Sequence, residues 1–206
     1  MVLILDSDEL YEKLLTCNLL ENAPAFWWPQ YGTFEVVLGV ILTQNSQWKK
    51  VEISLENLRN NNLLSIETIL TCNDALLIEC IRPSGMFRNK SKYIKRLSKA
   101  INDEFDDFEN FTCNVDRTWL LRQKGIGKES ADSILCYACK RDVMVVDAYT
   151  QRLLNALGYE FEDYDELQAW FHVESPKMAA QFHGMIVEYV KEHSRGKKVT
   201  IEFFQS

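Results

Sequence analysis

Apolar residues recur at helical spacing along most of this 206-residue chain. Ser7 reads as an N-cap before a helix that carries Leu10, Leu14 and Leu15 on one face. Residues 21–31 break the pattern, with Pro24 and Pro29 excluding a regular helix interior. Thr33 is placed to cap the next helix, where Phe34, Val37, Leu38, Ile41 and Leu42 follow the i, i+3, i+4, i+7, i+8 stripe of a core-facing helix. Helical spacing resumes at 49–60 and 74–81, Ser84 and Gly85 punctuate, and further helices are predicted at 90–104 and 115–123. Gly125-Ile126-Gly127 then separates that last helix from one running from Lys128 to about Cys139. A short apolar run at 143–146 delivers Asp147 to helices at 148–157, 163–173 and 176–194. Apart from that run, no segment alternates like a half-buried strand. The chain reads as all-α, without long repeats, low-complexity stretches or flexible linkers.

Composition narrows the class. A hydrophobic fraction of 47% and a charged fraction of 26% are ordinary for a soluble globular protein. No apolar stretch approaches the roughly 18 residues that cross a bilayer. The apolar start at 1–5 is followed at once by Asp6, Asp8 and Glu9 and lacks a basic lead, so no signal peptide is read and a cytoplasmic protein is expected. The six cysteines (17, 72, 80, 113, 136 and 139) are scattered and are expected to be buried thiols. Cys136 and Cys139 form a C-x-x-C inside a predicted helix with no second ligand pair, so no metal site is expected there.

The net charge of −7 argues against a general nucleic-acid binder. The local distribution changes that picture. Seven basic residues (82, 88, 90, 92, 95, 96 and 99) and no acidic one occupy 82–99, while acids gather at 103–109 and 160–166. Such a run is either a solvated helix face or an electrostatic footprint for phosphate.

Three other stretches carry candidate chemistry. Gly125 and Gly127 around one aliphatic residue allow a tight hairpin with positive backbone dihedrals. They read either as a helix–turn–helix corner with a glycine C-cap or as a seat of uncovered amides for an anion. Asp147 is an N-cap by pattern alone, yet one carboxylate oxygen can cap while the other faces a ligand. Phe26-Trp27-Trp28-Pro29 is either a core plug under a loop or the wall of an aromatic pocket.

The ordered block L-x-x-x-G-I-G-K-E-S-A-D-S-I-L followed by V-V-D-A-Y-T-Q-R-L, spanning 120–154, resembles the helix-hairpin-helix and catalytic-aspartate region of the endonuclease III superfamily of DNA glycosylases. Phe26-Trp27-Trp28-Pro29, L-T-Q-N-S-Q-W at 42–48 and Q-K-G-I-G-K-E-S-A-D are similar to its 3-methyladenine branch, and 81–91 resembles an I-x-x-x-G-x-Y-x-x-K-A element that opens a helix on the DNA side.

The resemblance implies a helical module at 25–140 and a second built from 1–24 and 141–206, with the hairpin and Asp147 lining a cleft between them. Asp147 matches the family's catalytic aspartate, a carboxylate that stabilises positive charge on the sugar as the N-glycosidic bond breaks and orients the attacking water. Glu129 stands where relatives that also cut the strand carry a lysine; a carboxylate forms no imine, so hydrolysis without strand cleavage is expected. Phe26, Trp27, Trp28, Pro29 and Glu129 are the implied base pocket, Phe87 is an alternative contributor, and a pocket of indole faces favours a cationic alkylated purine over a neutral base.

Gln44 or Asn45 is the implied residue that enters the duplex. Arg88, Lys90, Lys92, Lys124, Gly125, Ile126, Gly127 and Lys128 are the implied grip on the phosphates of double-stranded DNA. No cysteine follows Cys139, and Glu188 stands at the place of the first iron–sulfur ligand, so no cluster is expected. Met185 occupies a position that is often basic in the family, and His183 reads as a hydrogen-bonded packing residue. The resemblance leaves open a monovalent cation at the hairpin carbonyls. A monomer without membrane association is expected, acting on alkylated purines and foremost on 3-methyladenine. The rivals are a glycosylase for oxidised pyrimidines or mispaired adenine, and a non-catalytic helix-hairpin-helix module.

Overall fold

The computed structural model describes residues 5–196 and 198–205, so four of the five residues of the apolar N-terminal start lie outside the described residues. In chain order the α-helices are α1 (Ser7–Leu15), α2 (Phe34–Thr43), α3 (Trp48–Asn60), α4 (Ile66–Thr71), α5 (Asp74–Ile81), α6 (Phe87–Phe105), α7 (Phe108–Asn114), α8 (Arg117–Arg122), α9 (Lys128–Ser133), α10 (Ala148–Leu157), α11 (Tyr164–Ala169) and α12 (Pro176–Glu192). The fold is all-α. The one sheet among the described residues is a two-stranded antiparallel ribbon, β1 (Ser194–Arg195) with β2 (Lys198–Val199). The apolar run at 143–146 forms no strand.

The chain forms two compact units, one of Gln30–Lys140 and one of Met1–Pro29 with Arg141–Ser206. Phe26 to Pro29, expected with the central module, therefore belong to the unit built from both chain ends.

The central unit is organised on α2. Every residue from Phe34 to Leu42 is buried, including Glu35, whose carboxylate takes two hydrogen bonds from Arg59 at 2.6 and 3.1 Å. The predicted apolar stripe is present, but the opposite face of α2 is covered too. Two short helices escape the periodicity, α4 and α7, which begin at Ser65 and Asp107 with side-chain caps. Six or seven residues are too few for an apolar stripe to repeat, so capping is their main signature.

The other unit packs α1, α10 and α12 around Leu10, Leu14, Leu153, Leu154, Phe182, Ile186 and Tyr189, with Met185 in the same core. Leu15, expected on the buried face of α1, is 41% exposed. The cap of α1 is Asp6, not Ser7: Asp6 accepts from the Glu9 amide and Glu9 reaches back to the Asp6 amide. Ser7 instead accepts the His172 amide at 2.9 Å. Thr33 occupies the cap position of α2 without capping it; its hydroxyl donates to the Gln30 carbonyl at 2.7 Å.

All six cysteines are free thiols. Cys80, Cys136 and Cys139 are buried, Cys17 and Cys72 are half-buried, and Cys113 is exposed, a departure from the uniform burial expected. No helix among the described residues is long and apolar enough to cross a membrane.

Candidate active site

Asp147 sits at the entrance to α10 with extended backbone. Its Oδ1 accepts from the amides of Tyr149 and Thr150, both at 2.9 Å, and from the Thr150 hydroxyl at 3.1 Å. The capping role read from the pattern is real and occupies one oxygen. The other, Oδ2, lies 3.4 Å from Nε2 of His183 on α12. The Asp147 side chain is 16% exposed. Burial pushes its carboxyl pKa up, but the approach of the His183 imidazole and the Thr150 donors outweigh burial, and the net direction is below the ordinary aspartate value. The carboxylate is held ionised.

Trp27 packs against the same histidine. Its ring meets the His183 imidazole edge-to-face at 5.2 Å, and its indole N–H donates to Glu188 Oε1 at 2.9 Å. Lys191 donates to the same oxygen at 2.9 Å. Gly184 makes this seat possible: a Cβ on it would come within 3.0 Å of three Trp27 atoms. The aromatic run itself is split. Trp27, Phe26 and Pro29 are half-buried, and Trp27 has a left-handed backbone (φ +61°), whereas Trp28 is only 8% exposed and belongs to the packing. Trp28 is thus withdrawn from the open wall the sequence suggested.

In the central unit the hairpin runs from α8 into α9. Gly125 has φ +94° and a Cβ there would strike the Tyr93 ring within 3.0 Å, so both its backbone angle and its lack of a side chain are required. Gly127 differs from the expectation of two positive dihedrals: it is extended (φ −95°), begins α9, and has open space where a Cβ would stand. The Ile126 side chain is buried and its amide donates to the Gln123 carbonyl at 3.1 Å, so Ile126 shapes the turn. Glu129 is exposed on the first turn of α9, and α9 passes into a π-helical segment, Ile134–Ala138. Gln44 donates to the Gly125 carbonyl at 2.8 Å and to Ser130 Oγ at 3.2 Å, tying the loop after α2 to the hairpin, while the adjacent Asn45 is exposed in a left-handed conformation (φ +51°).

The basic run of 82–99 is less open than its sequence implied. Lys90 is 1% exposed and donates to the carbonyls of Leu42 and Ser84 at 2.7 and 2.8 Å, which removes it from any phosphate grip. Arg82 pairs with Glu79, Lys95 with Asp74 and Lys99 with Asp103. Arg88, Lys92 and Arg96 are exposed at four-residue spacing on α6 and form one stripe, and Lys124 is exposed at the hairpin, with Lys128 half-buried. Phe87 lies under the Arg82 and Arg88 guanidiniums, 5.0 and 5.8 Å from its ring centre.

Two contributors escaped the sequence reading, His183 as the partner of Asp147 and Glu188 as the anchor of Trp27. Their signal is weak: a histidine, a glycine and a glutamate on one buried helix, at i, i+1 and i+5.

Residues 38–173 match the family model of the HhH-GPD superfamily base excision DNA repair proteins. A provisionally named DNA repair glycosylase of Methanocaldococcus jannaschii is 40% identical over 181 residues, covering 83% of this chain and 82% of its own. The crystal structure of the H. pylori 3-methyladenine DNA glycosylase (MagIII) bound to 1,N6-ethenoadenine superposes with a TM-score of 0.88 at 45% identity, covering 93% of this chain and 100% of that one. A non-covalent endonuclease III–DNA complex shares the fold, with a TM-score of 0.76 at 18% identity over 97% of this chain and 92% of that one. The chain belongs to the HhH-GPD superfamily of base excision DNA repair proteins, and is a DNA glycosylase of that family.

Proposed function

We propose that this glycosylase is monofunctional and hydrolyses the bond between C1′ and the base nitrogen of alkylated purines, 3-methyladenine foremost, in double-stranded DNA. The observation that carries this reading is the Asp147 carboxylate, held ionised with one oxygen spent on capping, in the same unit as the half-buried indole of Trp27. As the C1′–N bond breaks, its electron pair leaves with the base and the sugar becomes cationic. A fixed anion stabilises that charge and orients the water whose oxygen bonds to C1′, its proton passing to solvent. An N3-alkylated adenine leaves as a neutral base, and an indole face prefers its cationic form by about 0.5–2 kcal/mol. The 45% identity with a 3-methyladenine glycosylase supports the substrate class.

Glu129, where strand-cutting relatives carry lysine, supports hydrolysis alone. No iron–sulfur cluster is part of the reading: Glu188 stands at the first ligand position, engaged with Trp27 and Lys191, and no cysteine follows Cys139. Phosphates are gripped by Arg88, Lys92, Arg96, Lys124 and Lys128 and by the backbone beside Gly125 and Gly127. Asn45 enters the duplex, since Gln44 is committed to the hairpin.

The test incubates the protein with duplexes carrying methylated purines, oxidised pyrimidines or mispaired adenine and scores the free base. Release of methylated purine, with no DNA adduct after borohydride, is expected. Preferential release of another base, or a trapped adduct, overturns the reading. Asp147→Asn is expected to retain DNA affinity while slowing base release by about a hundredfold or more.

A further inference from the structure

We propose that His183 is a positioning residue that holds Asp147 Oδ2 in its reacting orientation. The inference rests on the role given to Asp147 above. The three donors on that carboxylate all belong to the first turn of α10 and all address Oδ1. A carboxylate torsion is broad and roughly two-fold, so donors on one oxygen leave the plane of the group loosely defined. His183 supplies the second point from a different helix, with Nε2 3.4 Å from Oδ2. That separation is long for a hydrogen bond, as catalytic contacts often are before substrate binds, and it shortens as charge develops on the sugar.

His183 is itself buttressed. It is 3% exposed, and the Trp27 ring stands edge-on to it at 5.2 Å. Trp27 is fixed in turn by Glu188 on its indole N–H and by Gly184 beneath it. Its φ of +61° is a strained conformation for a tryptophan, which persists where surrounding contacts over-determine it. His183, Gly184 and Glu188 thus form three sides of one seat on α12, and the ring in that seat backs the imidazole that meets the carboxylate. The same tryptophan is the residue proposed to face the base, so the alignment of the anion and the wall of the base site share one support.

The experiment compares wild type, His183→Phe and His183→Gln. Phenylalanine keeps the packing against Trp27 without a donor, and glutamine places an amide nitrogen near the position of Nε2. Single-turnover release of 3-methyladenine from a methylated duplex is measured beside affinity for a duplex with a non-cleavable abasic analogue. The phenylalanine variant is expected to be slower by about 10- to 100-fold, since small misplacements of a reacting group cost that much. Its affinity is expected within about threefold of wild type, and glutamine is expected to restore most of the rate. A phenylalanine variant as fast as wild type, one that loses affinity in step with rate, or a glutamine variant as slow as phenylalanine overturns the proposal. In each of these cases an active wild type leaves the glycosylase reading standing. A wild type that releases no base overturns both. Imidazole 15N resonances give a second measurement that requires no His183 variant: the His183 signals are expected to shift in Asp147→Asn, and unshifted signals overturn the pairing.

Discussion

Lys90 is a lysine whose charge never reaches solvent. Its ammonium caps two carbonyls, Leu42 at the end of α2 and Ser84 in the turn before α6, and burial pushes its pKa down to about 8. Replacing it with methionine leaves both carbonyls without this donor, at about 1–3 kcal/mol each, so Lys90→Met is expected to cost about 2–6 kcal/mol of stability in chemical denaturation. The pH dependence has a definite sign. Below about pH 8 both folded and unfolded states hold the proton, and the full cost of burying the charge is present. Between there and the unfolded value near 10.4 the unfolded state binds more protons, so stability rises with pH. The margin of wild type over Lys90→Met is therefore expected to widen across that window. Neither burial nor the two carbonyls can be read from a lysine in a basic run, because neighbours in sequence do not say which face of α6 meets α2.

At the scale of the element, α12 does most of the positioning in its unit. Its apolar positions Phe182, Ile186, Tyr189 and Val190 fix its rotation about its axis, and that rotation decides where His183, Gly184 and Glu188 point. The stripe was legible in the chain; the use of its other face was not, since one histidine and one glutamate have no periodicity of their own. Gly184→Ala is expected to displace Trp27 from its seat. Overpacking of this kind costs about 1–3 kcal/mol, and base release is expected to fall further than the melting temperature alone suggests. Unchanged release kinetics would mean that the seat has no part in base release. The hairpin teaches the same lesson in another way: Gly125 and Gly127 look equivalent in sequence, yet one is demanded by a positive φ and the Tyr93 ring, while the other is extended and faces open space.

At the scale of the whole molecule, a protein with net charge −7 must meet a polyanion through a small local exception. Of the seven basic residues between 82 and 99, three (Arg88, Lys92 and Arg96) are exposed along one face of α6, and the others are buried or paired with acids. Neutralising these three together is expected to flatten the plot of log affinity for duplex DNA against log salt by up to about 2.7, or about 0.9 for each phosphate no longer neutralised. The same change at Lys95 and Lys99, which pair with Asp74 and Asp103, is expected to alter it much less. Equal slopes for the two sets would dismiss the α6 stripe as the footprint.

By itself the chain determined its longer helices, the place of its hairpin and the presence of a carboxylate at the head of α10, because these follow from periodicity, glycine placement and capping, all of which act over a few residues; α4 and α7 are too short to show a repeat. The family motif was legible for the same reason. The tertiary structure alone decided which tryptophan is half-open and which is packed, which lysine is buried, and that His183 and Glu188 flank the indole. Those outcomes depend on how helices far apart in sequence are rotated against one another, and burial, pKa and hydrogen bonding are properties of the resulting neighbourhood.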